Sequence, residues 1–422
     1  LSTLSKVVQL TAEEQKLLQN ATELVPLLME YGTKIDKDMH IPEEIIEKVS
    51  SAGLFKLRTP KKYGGYEVSI QAMIEIVSEV ARGNGSVGWV VQNINGNNYS
   101  SSQLLPTEVV DKIFKQEKEV KFCSVLQAIK AVVKKVDGGY LVEYGRWAFG
   151  SGSKHATHAL LNLKDASAMQ QDPKMKLAVV PMDEIKIIDD WHTMSLKGSA
   201  SNSLEMNYVF IPNEYVADEN FEEVDETRLQ HLQGEDRYKH YLFLITSITT
   251  GISTILGLAR GAVEHFIERA PNKGIAMTIH RSQAEVGHIQ YKVGLAAMKV
   301  ESAHLHINRS IDILEDYVQR GELLSQEDFV QIQTDIGYAA MLCSEAVEML
   351  MVESGGSAIL DSNRLSQIFR DIRGGANHAF TTASTCLELY GRVLLGLPPQ
   401  HIVTISSAHL VRNQSVQQEQ AY

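Results

Sequence analysis

Two short stretches of the chain concentrate residues that could do chemistry. Residues 145–161, GRWAFGSGSKHATHALL, bring together Trp147, Phe149, two glycines at 150 and 152, the Ser151 hydroxyl, and the histidines His155 and His158. Flat apolar side chains beside a small hydroxyl and bare backbone N–H groups suit a ligand with flat faces and a polar edge. A glycine-rich turn with an aromatic core anchor would look the same from sequence. His155 follows the turn and opens a strand, which reads as a structural position. Residues 370–380, RDIRGGANHAF, form the second set, with Arg370 and His378. A histidine there can donate a hydrogen bond or take up a proton near neutral pH. Between them in type is WVVQNINGNNY (89–99), where Gln92, Asn93, Asn95, Asn97 and Asn98 interrupt an otherwise apolar run. Such amides face solvent or a ligand, because buried ones need partners. Phosphate-loop, HExxH, Cys–His metal and G-x-S-x-G spacings are absent, so no metal is expected; GSGSKH lacks the phosphate-loop spacing.

The elements that must position these residues follow from periodicity. A chain of 422 residues is expected to form two or three domains. Thr11 with Glu14 is a capping box that opens a helix, Pro42-Glu43-Glu44 starts another that Gly53 stops, and TPKKYGGYEVS (59–69) is a loop. Helices follow over 70–81 and 86–103. Near Lys121 the apolar period falls from 3.6 to 2. Strands are predicted at 130–137 and 140–146, joined by a D-G turn, then at 157–163, 176–181, 184–190 and 203–212. Six or seven such strands make a small barrel or sandwich. From Tyr238 helices resume: one stripe from Tyr241 to Ala259, a second from Val286 to Val318, a third from Phe329 to Leu350, and a last pair at 363–372 and 379–395. Gly251, Gly257 and Gly261 weaken the first of these by ~1 kcal/mol each, which is acceptable where close packing needs them. The tail after Pro399 reads as loosely structured. The expected class is therefore α+β, mainly α: a helical unit at 1–120, a β unit at 121–226 and an antiparallel bundle of four or five helices at 227–422.

Composition narrows the partners. The chain is 44% apolar and 22% charged with a net charge of −12, and it has no Lys/Arg-rich run, which argues against nucleic acid and anionic membrane. No apolar run reaches spanning length and LSTLSKVVQL lacks a signal-peptide core. Cys123, Cys343 and Cys386 lie far apart in apolar settings and read as buried small hydrophobes in a reducing compartment. A cytoplasmic location is expected.

The order helices, β unit, bundle, with YGG at 63–65, Trp191 before SLKGSASNSLEMNYVFIP (195–212) and RD at 370–371, resembles the acyl-CoA dehydrogenase fold over nearly the whole chain. Within it, W-x-F-x-S-G-x-x-H-A at 147–156 and RDIRGGANHAF resemble the flavin-dependent monooxygenase branch, the oxygenase components of two-component systems. RGGANHAF (373–380) also lacks the carboxylate that the dehydrogenases use as a base. Some dehydrogenases carry that glutamate on an earlier helix.

The resemblance implies reduced FMN or FAD supplied by a separate NAD(P)H:flavin reductase, oxygen as co-substrate, a flavin C4a-hydroperoxide, and a homotetramer. Trp147, Phe149, Ser151, Gly152 and Arg370 would meet the flavin. Ser151 and His378 would be catalytic, with His378 either a donor to the peroxide or a base for a phenol. Asn97, Tyr99, Ser124 and His378 would line the substrate, Asn97 or Tyr99 standing where some aromatic hydroxylases carry histidine. Phosphate partners could be Lys154, Arg370 and Lys273, though ion pairs are the plainer role for each. No arginine, Arg260 included, can be placed as a carboxylate clamp. The implied substrate is a small neutral aromatic: a phenol, indole or polycyclic. Two alternatives stay open: an amine or amino-sugar N-oxygenase, which the amide row would suit, and an acyl-CoA dehydrogenase.

Overall fold

The computed structural model describes residues 10–171, 175–217, 243–401 and 411–412. The expected boundary at 226–227, Tyr238, Tyr241 and most of the tail lie outside them. The first helical unit contains α1 (Ala12–Glu30), α2 (Gly32–Asp38), α3 (Glu43–Ser51), α4 (Ile70–Gly83), α5 (Gly85–Leu104) and α6 (Thr107–Gln116). The capping box forms as read: the Thr11 hydroxyl accepts from Glu14 N–H at 3.2 Å, and the Glu14 carboxylate accepts from Thr11 N–H at 2.9 Å. The same carboxylate accepts from Ser69 N–H at 2.8 Å, so one side chain joins the start of α1 to the N-cap of α4. Pro42 precedes α3 as its N-cap instead of opening it.

The period-2 region is a sandwich of two four-stranded sheets. One has the order β1 (Phe122–Val125), β4 (His158–Asn162), β5 (Leu177–Pro181), β8 (Val216–Ala217); the other is β2 (Lys130–Val136), β3 (Gly139–Trp147), β7 (Ser203–Pro212), β6 (Lys186–Ile188). β1 and β4 are parallel and every other pair within the two sheets is antiparallel. Asp137-Gly138 makes the expected two-residue turn, with Val136 opposite Gly139 and Gly138 at φ +76°. Cys123, Val142, Trp147, Ala159, Leu161, Leu204 and Met206 fill the space between the sheets. The two strands that patterning missed, β1 and β8, have 4 and 2 residues, too few to show an alternation. A short helix, α7 (Ala166–Gln171), follows β4.

The bundle consists of α8 (Phe243–Thr250), α9 (Ser253–Arg269), α10 (Gly287–Arg320), α11 (Gln326–Glu353), α12 (Arg364–Ala376) and α13 (Ala383–Leu394). The first predicted stripe breaks at Gly251-Ile252 into α8 and α9. The others hold: Ile307, Ile311 and Leu314 of α10 and Ile336, Ala340, Cys343 and Val347 of α11 are buried. Gly257 has the packing reason anticipated for it, since a Cβ there would lie 2.1 Å from the Ser78 carbonyl oxygen of α4. Short strands β9 (Leu324–Ser325) and β10 (Val411–Arg412) pair in parallel. All three cysteines are free and buried. Among the described residues no helix is long and apolar enough to cross a membrane.

Candidate active site

The turn after β3 separates its two aromatic residues. Trp147 still has strand geometry and points inward; it is fully buried, and its Nε1 donates to the Asn162 carbonyl at 2.7 Å. The expectation that it packs on a cofactor is corrected by this burial, because neither ring face is accessible. Phe149 takes the outward position. Its backbone is left-handed at φ +68°, its side chain is 69% exposed, and its ring meets Trp191 edge-on at 5.8 Å. The backbone N–H groups expected to face a ligand are engaged instead. Gly150 donates to the Asn202 carbonyl at 3.1 Å, Ser151 to Phe149 at 2.9 Å and Gly152 to Ser199 at 3.1 Å. Gly152, buried at φ +74° with Val90 3.2 Å from where its Cβ would stand, shapes the turn and does not present a donor.

Ser151 holds its hydroxyl in a buried hydrogen-bond cluster. It is 9% exposed, its Oγ accepts from the indole Nε1 of Trp89 at 3.0 Å, and it lies 2.7 Å from the Ser201 hydroxyl. Ser201 in turn lies 2.8 Å from the Ser199 hydroxyl. The Trp89 indole also meets the His378 ring in a T-shaped contact at a centroid distance of 5.7 Å. One tryptophan on the first turns of α5 thus joins the two stretches that stand 227 positions apart in sequence (Ser151 to His378). No local pattern marks Trp89 within 89–99; its place four residues before Asn93 on the amide-bearing face is the one available signal.

His378 follows the C-cap of α12; the residue is exposed, and its ring packs edge-on against Trp89 and Phe380. Burial among those groups lowers its pKa, so it is neutral at pH 7. Its Nδ1 accepts from Phe380 N–H at 3.3 Å, which leaves the ring proton on Nε2 as a donor. Gly374 and Gly375 let α12 approach closely: a Cβ on Gly374 would lie 2.1 Å from Ser195 Oγ, and one on Gly375 2.9 Å from Ile255. Arg370 is not available to a phosphate. It pairs with both carboxylate oxygens of Asp36, at 3.2 and 3.0 Å, and donates to Met194 O. Asp371 is 1% exposed and accepts from Leu196 N–H at 2.6 Å. Desolvation raises its pKa to about 7. The R-D pair is therefore a clasp between α2, the 194–200 loop and α12. Lys154 lies 3.5 Å from Asp189 and Lys273 donates to Ser357.

The amide row of α5 is used mostly by the main chain. Asn95 donates to Leu54 O at 2.7 Å, Asn98 bridges Phe55, Val120 and Phe122, and Gln92 accepts from Thr254 N–H at 3.0 Å. Tyr99 is 6% exposed and lies under the Arg58 guanidinium, 4.2 Å from its ring centre; this burial corrects its expected substrate contact. Asn93, Gly96, Asn97 and Ser100 form a half-buried face at helical spacing, and a Cβ on Gly96 would meet nothing within 4 Å. Asn97 donates to Phe122 O at 3.3 Å, and Ser124, half-buried, stands two residues along the same side of β1. His155 has its pKa lowered to about 4 by burial and lies 3.8 Å from Glu43; it is a neutral packing residue. Among the described residues no cluster of side chains is arranged to hold a metal.

Comparison with known proteins matches residues 11–101 to the acyl-CoA dehydrogenase N-terminal domain and residues 251–383 to the acyl-CoA dehydrogenase C-terminal domain. The chain belongs to the acyl-CoA dehydrogenase superfamily. Among curated relatives it is similar to an indole-3-acetate monooxygenase of Acinetobacter baumannii, 26% identical over 87% of this chain and 90% of that protein. It is also similar to the oxygenase component of p-hydroxyphenylacetate 3-hydroxylase from the same species, 23% identical over 91% of this chain and 90% of that one. Of solved structures, XiaF from Streptomyces sp. in complex with FADH2 and glycerol superposes with a TM-score of 0.83 at 24% identity, covering 92% of this chain and 96% of that one.

The resemblance points to 373–380 as a stretch where the dehydrogenases carry a carboxylate base. This member has none at 373–380. The nearest acid, Asp371, is fully buried and turned to Leu196. The stretch of α9 beside Gly375 and Trp89 (253–263) also carries no acid; the first, Glu264, is paired with Arg82 at 3.0 Å.

Proposed function

We propose that the chain is the oxygenase component of a two-component, reduced-flavin-dependent monooxygenase that hydroxylates a small neutral aromatic compound. The observation that carries this reading is the Trp89 bridge, which sets a serine hydroxyl and a neutral histidine donor about one indole apart in a site without a carboxylate. A flavin fits these residues: exposed Phe149 and half-buried Trp191 offer flat apolar surface, and Ser151 offers a hydroxyl at one edge. Reduced FMN or FAD, delivered by a separate reductase, would supply the oxygen activation. Phe149 and Trp191 would cover the ring, and Ser151 would hydrogen-bond its polar edge. His378 Nε2–H would donate to the oxygen being transferred, holding it against loss as hydrogen peroxide. The face of α5 that runs from Trp89 past Gly96 to Asn97, with Ser124 beside it, would line the substrate.

The neutral class of substrate is supported by the state of the arginines. Arg58 lies over Tyr99, Arg260 pairs with Glu75 at 2.8 Å, Arg370 with Asp36, and Arg373 with Glu348. The amide row is tied to backbone, which disfavours a polyol-binding helix and hence the amino-sugar alternative. A homotetramer, read as part of the same proposal, is supported by Tyr291, Met298 and Leu305, exposed by 66, 61 and 66% at heptad spacing on α10.

Anaerobic titration with oxidised and reduced FMN and FAD tests the reading. The reduced form of at least one should bind more than tenfold tighter, about 1.4 kcal/mol; equal affinity, or none for either, overturns it. With indole and phenol as probe substrates and reduced FMN supplied enzymatically, Ser151→Ala and His378→Ala should each divert oxygen to free hydrogen peroxide. Coupling to product should fall by roughly tenfold, the worth of one directed hydrogen bond.

A further inference from the structure

We propose that Ser201 and Ser199 form a reversible hydroxyl relay behind Ser151, letting that one side chain accept from a reduced flavin edge and donate to an oxidised one. The inference rests on the flavin reading above and assigns positioning roles to two serines outside both motifs. Its basis is a donor count. An indole N–H can only donate, so Trp89 permanently fills one lone pair of Ser151 Oγ. What remains on Ser151 is one lone pair and one proton. Its remaining hydrogen-bond partner among the described residues, Ser201 at 2.7 Å, can play either role, and so can Ser199, 2.8 Å beyond.

The polar edge of a flavin changes sign with redox state: N5 of the oxidised ring accepts, and N5–H of the reduced ring donates. With a donor at the edge, Ser151 accepts twice and its proton turns to Ser201, whose own proton turns to Ser199. With an acceptor at the edge, Ser151 donates outward, Ser201 donates to Ser151, and Ser199 to Ser201. Each proton stays on its own oxygen; only C–O torsions rotate, and no heavy atom moves. Water is a poor substitute, since Ser151, Ser201 and Ser199 are 9, 2 and 1% exposed. The backbone holds the register. Gly152 donates to Ser199 O and Gly150 to Asn202 O, while Ala200 between the two serines is forced to φ +43°. A left-handed alanine persists only where its surroundings over-determine it.

The test is the ratio of dissociation constants for oxidised and reduced FMN, measured anaerobically. In Ser201→Ala the Ser151 proton has no acceptor when the flavin donates, so reduced-flavin affinity should fall more than oxidised, shrinking the ratio by about tenfold. Ser201→Thr keeps a hydroxyl and should restore it. Ser199→Ala, one step further back, should move the ratio the same way by a smaller factor, and serves if Ser201→Ala does not fold. Trp89→Phe removes a bond made in both states and should weaken both forms while leaving the ratio unchanged. A wild-type ratio in folded Ser201→Ala or in Ser199→Ala overturns the relay alone. Absence of flavin binding by the wild type overturns the relay together with the functional reading.

Discussion

Asn95 and Asn98 on α5 and Ser199 and Ser201 beside the β3 turn are equally buried polar side chains, all at 2% exposure or less. They are buried to opposite effect. The amides spend their planar, fixed donors and acceptor on main chain: Asn98 alone holds Phe55 O at 3.3 Å, Val120 O at 3.0 Å and Phe122 N–H at 3.0 Å. Such a group has one satisfied orientation and acts as a staple between α5, the 54–59 loop and β1. The serines bond one another, and a hydroxyl can reverse its role by rotating one torsion. Burial and polarity do not distinguish a structural polar cluster from a responsive one; the identity of the partners does.

The sharpest way to break that contrast is Asn98→Ala. It strands two carbonyls and an N–H in a region closed to water, at about 1–3 kcal/mol each, so roughly 4 kcal/mol of stability should be lost. Urea denaturation measures it, with the slope against denaturant unchanged. Ser201→Ala should cost about 1 kcal/mol or less on the same assay. Equal losses in the two variants would erase the distinction drawn between staple and relay.

Asp371 is a third kind of buried polar group, a single carboxyl facing both signs of charge. Desolvation, with Asp36 adding to it, raises its pKa from 3.8 to about 7 against the lowering pull of Leu196 N–H, Arg370 and Lys197. A carboxyl whose folded pKa is raised contributes stability that is fully present below its unfolded pKa. That contribution is lost as pH rises through the folded value. Here the window runs from about 4 to about 7, and three pH units correspond to roughly 4 kcal/mol. Asp371→Asn keeps an acceptor for Leu196 N–H and cannot ionise. Its stability relative to wild type should therefore climb between pH 4 and pH 8 by roughly 4 kcal/mol, followed by urea denaturation at each pH. A difference that does not vary with pH would show that Asp371 is charged in the fold, and the 194–200 clasp an ordinary charge-assisted one.

Much of this architecture was legible in the sequence because it rests on periodicity. The change from 3.6 to 2 near Lys121, the Asp137-Gly138 turn and the stripes of α10 and α11 all reappear at nearly the expected residues. The misreadings concern direction and partners, which no local pattern encodes. Trp147 and Phe149 are two positions apart and in a strand would share a face; the left-handed backbone at Phe149 puts them on opposite sides. An ion pair was the plainer role expected for Arg370, but its partner, Asp36, is 334 residues away and no local pattern names it. Tyr99 and Asn97 could be parted only by knowing which side of α5 met β1. Trp89 was invisible as a bridge because both groups it joins come from other elements.

The smallest predicted change in stability comes where the two sides of that turn differ most, and its sign is informative. Phe149 leaves little apolar area to lose, being 69% exposed, and it holds a left-handed backbone that a side chain with a Cβ resists. Phe149→Gly removes that strain, worth about 1–2 kcal/mol, and adds unfolded-chain entropy, worth about 1 kcal/mol in the other direction. The variant should thus be as stable as wild type or up to about 1 kcal/mol more so, as read by thermal unfolding. If Phe149 is kept there to cover a flat ligand, the same variant should bind reduced FMN at least several-fold more weakly. Trp147→Phe should do the reverse: lose about 1 kcal/mol with the bond to Asn162 O, and leave flavin affinity alone. A stabilised Phe149→Gly with undiminished affinity would mean that the strain serves the turn itself, and that the exposed ring has no ligand to cover.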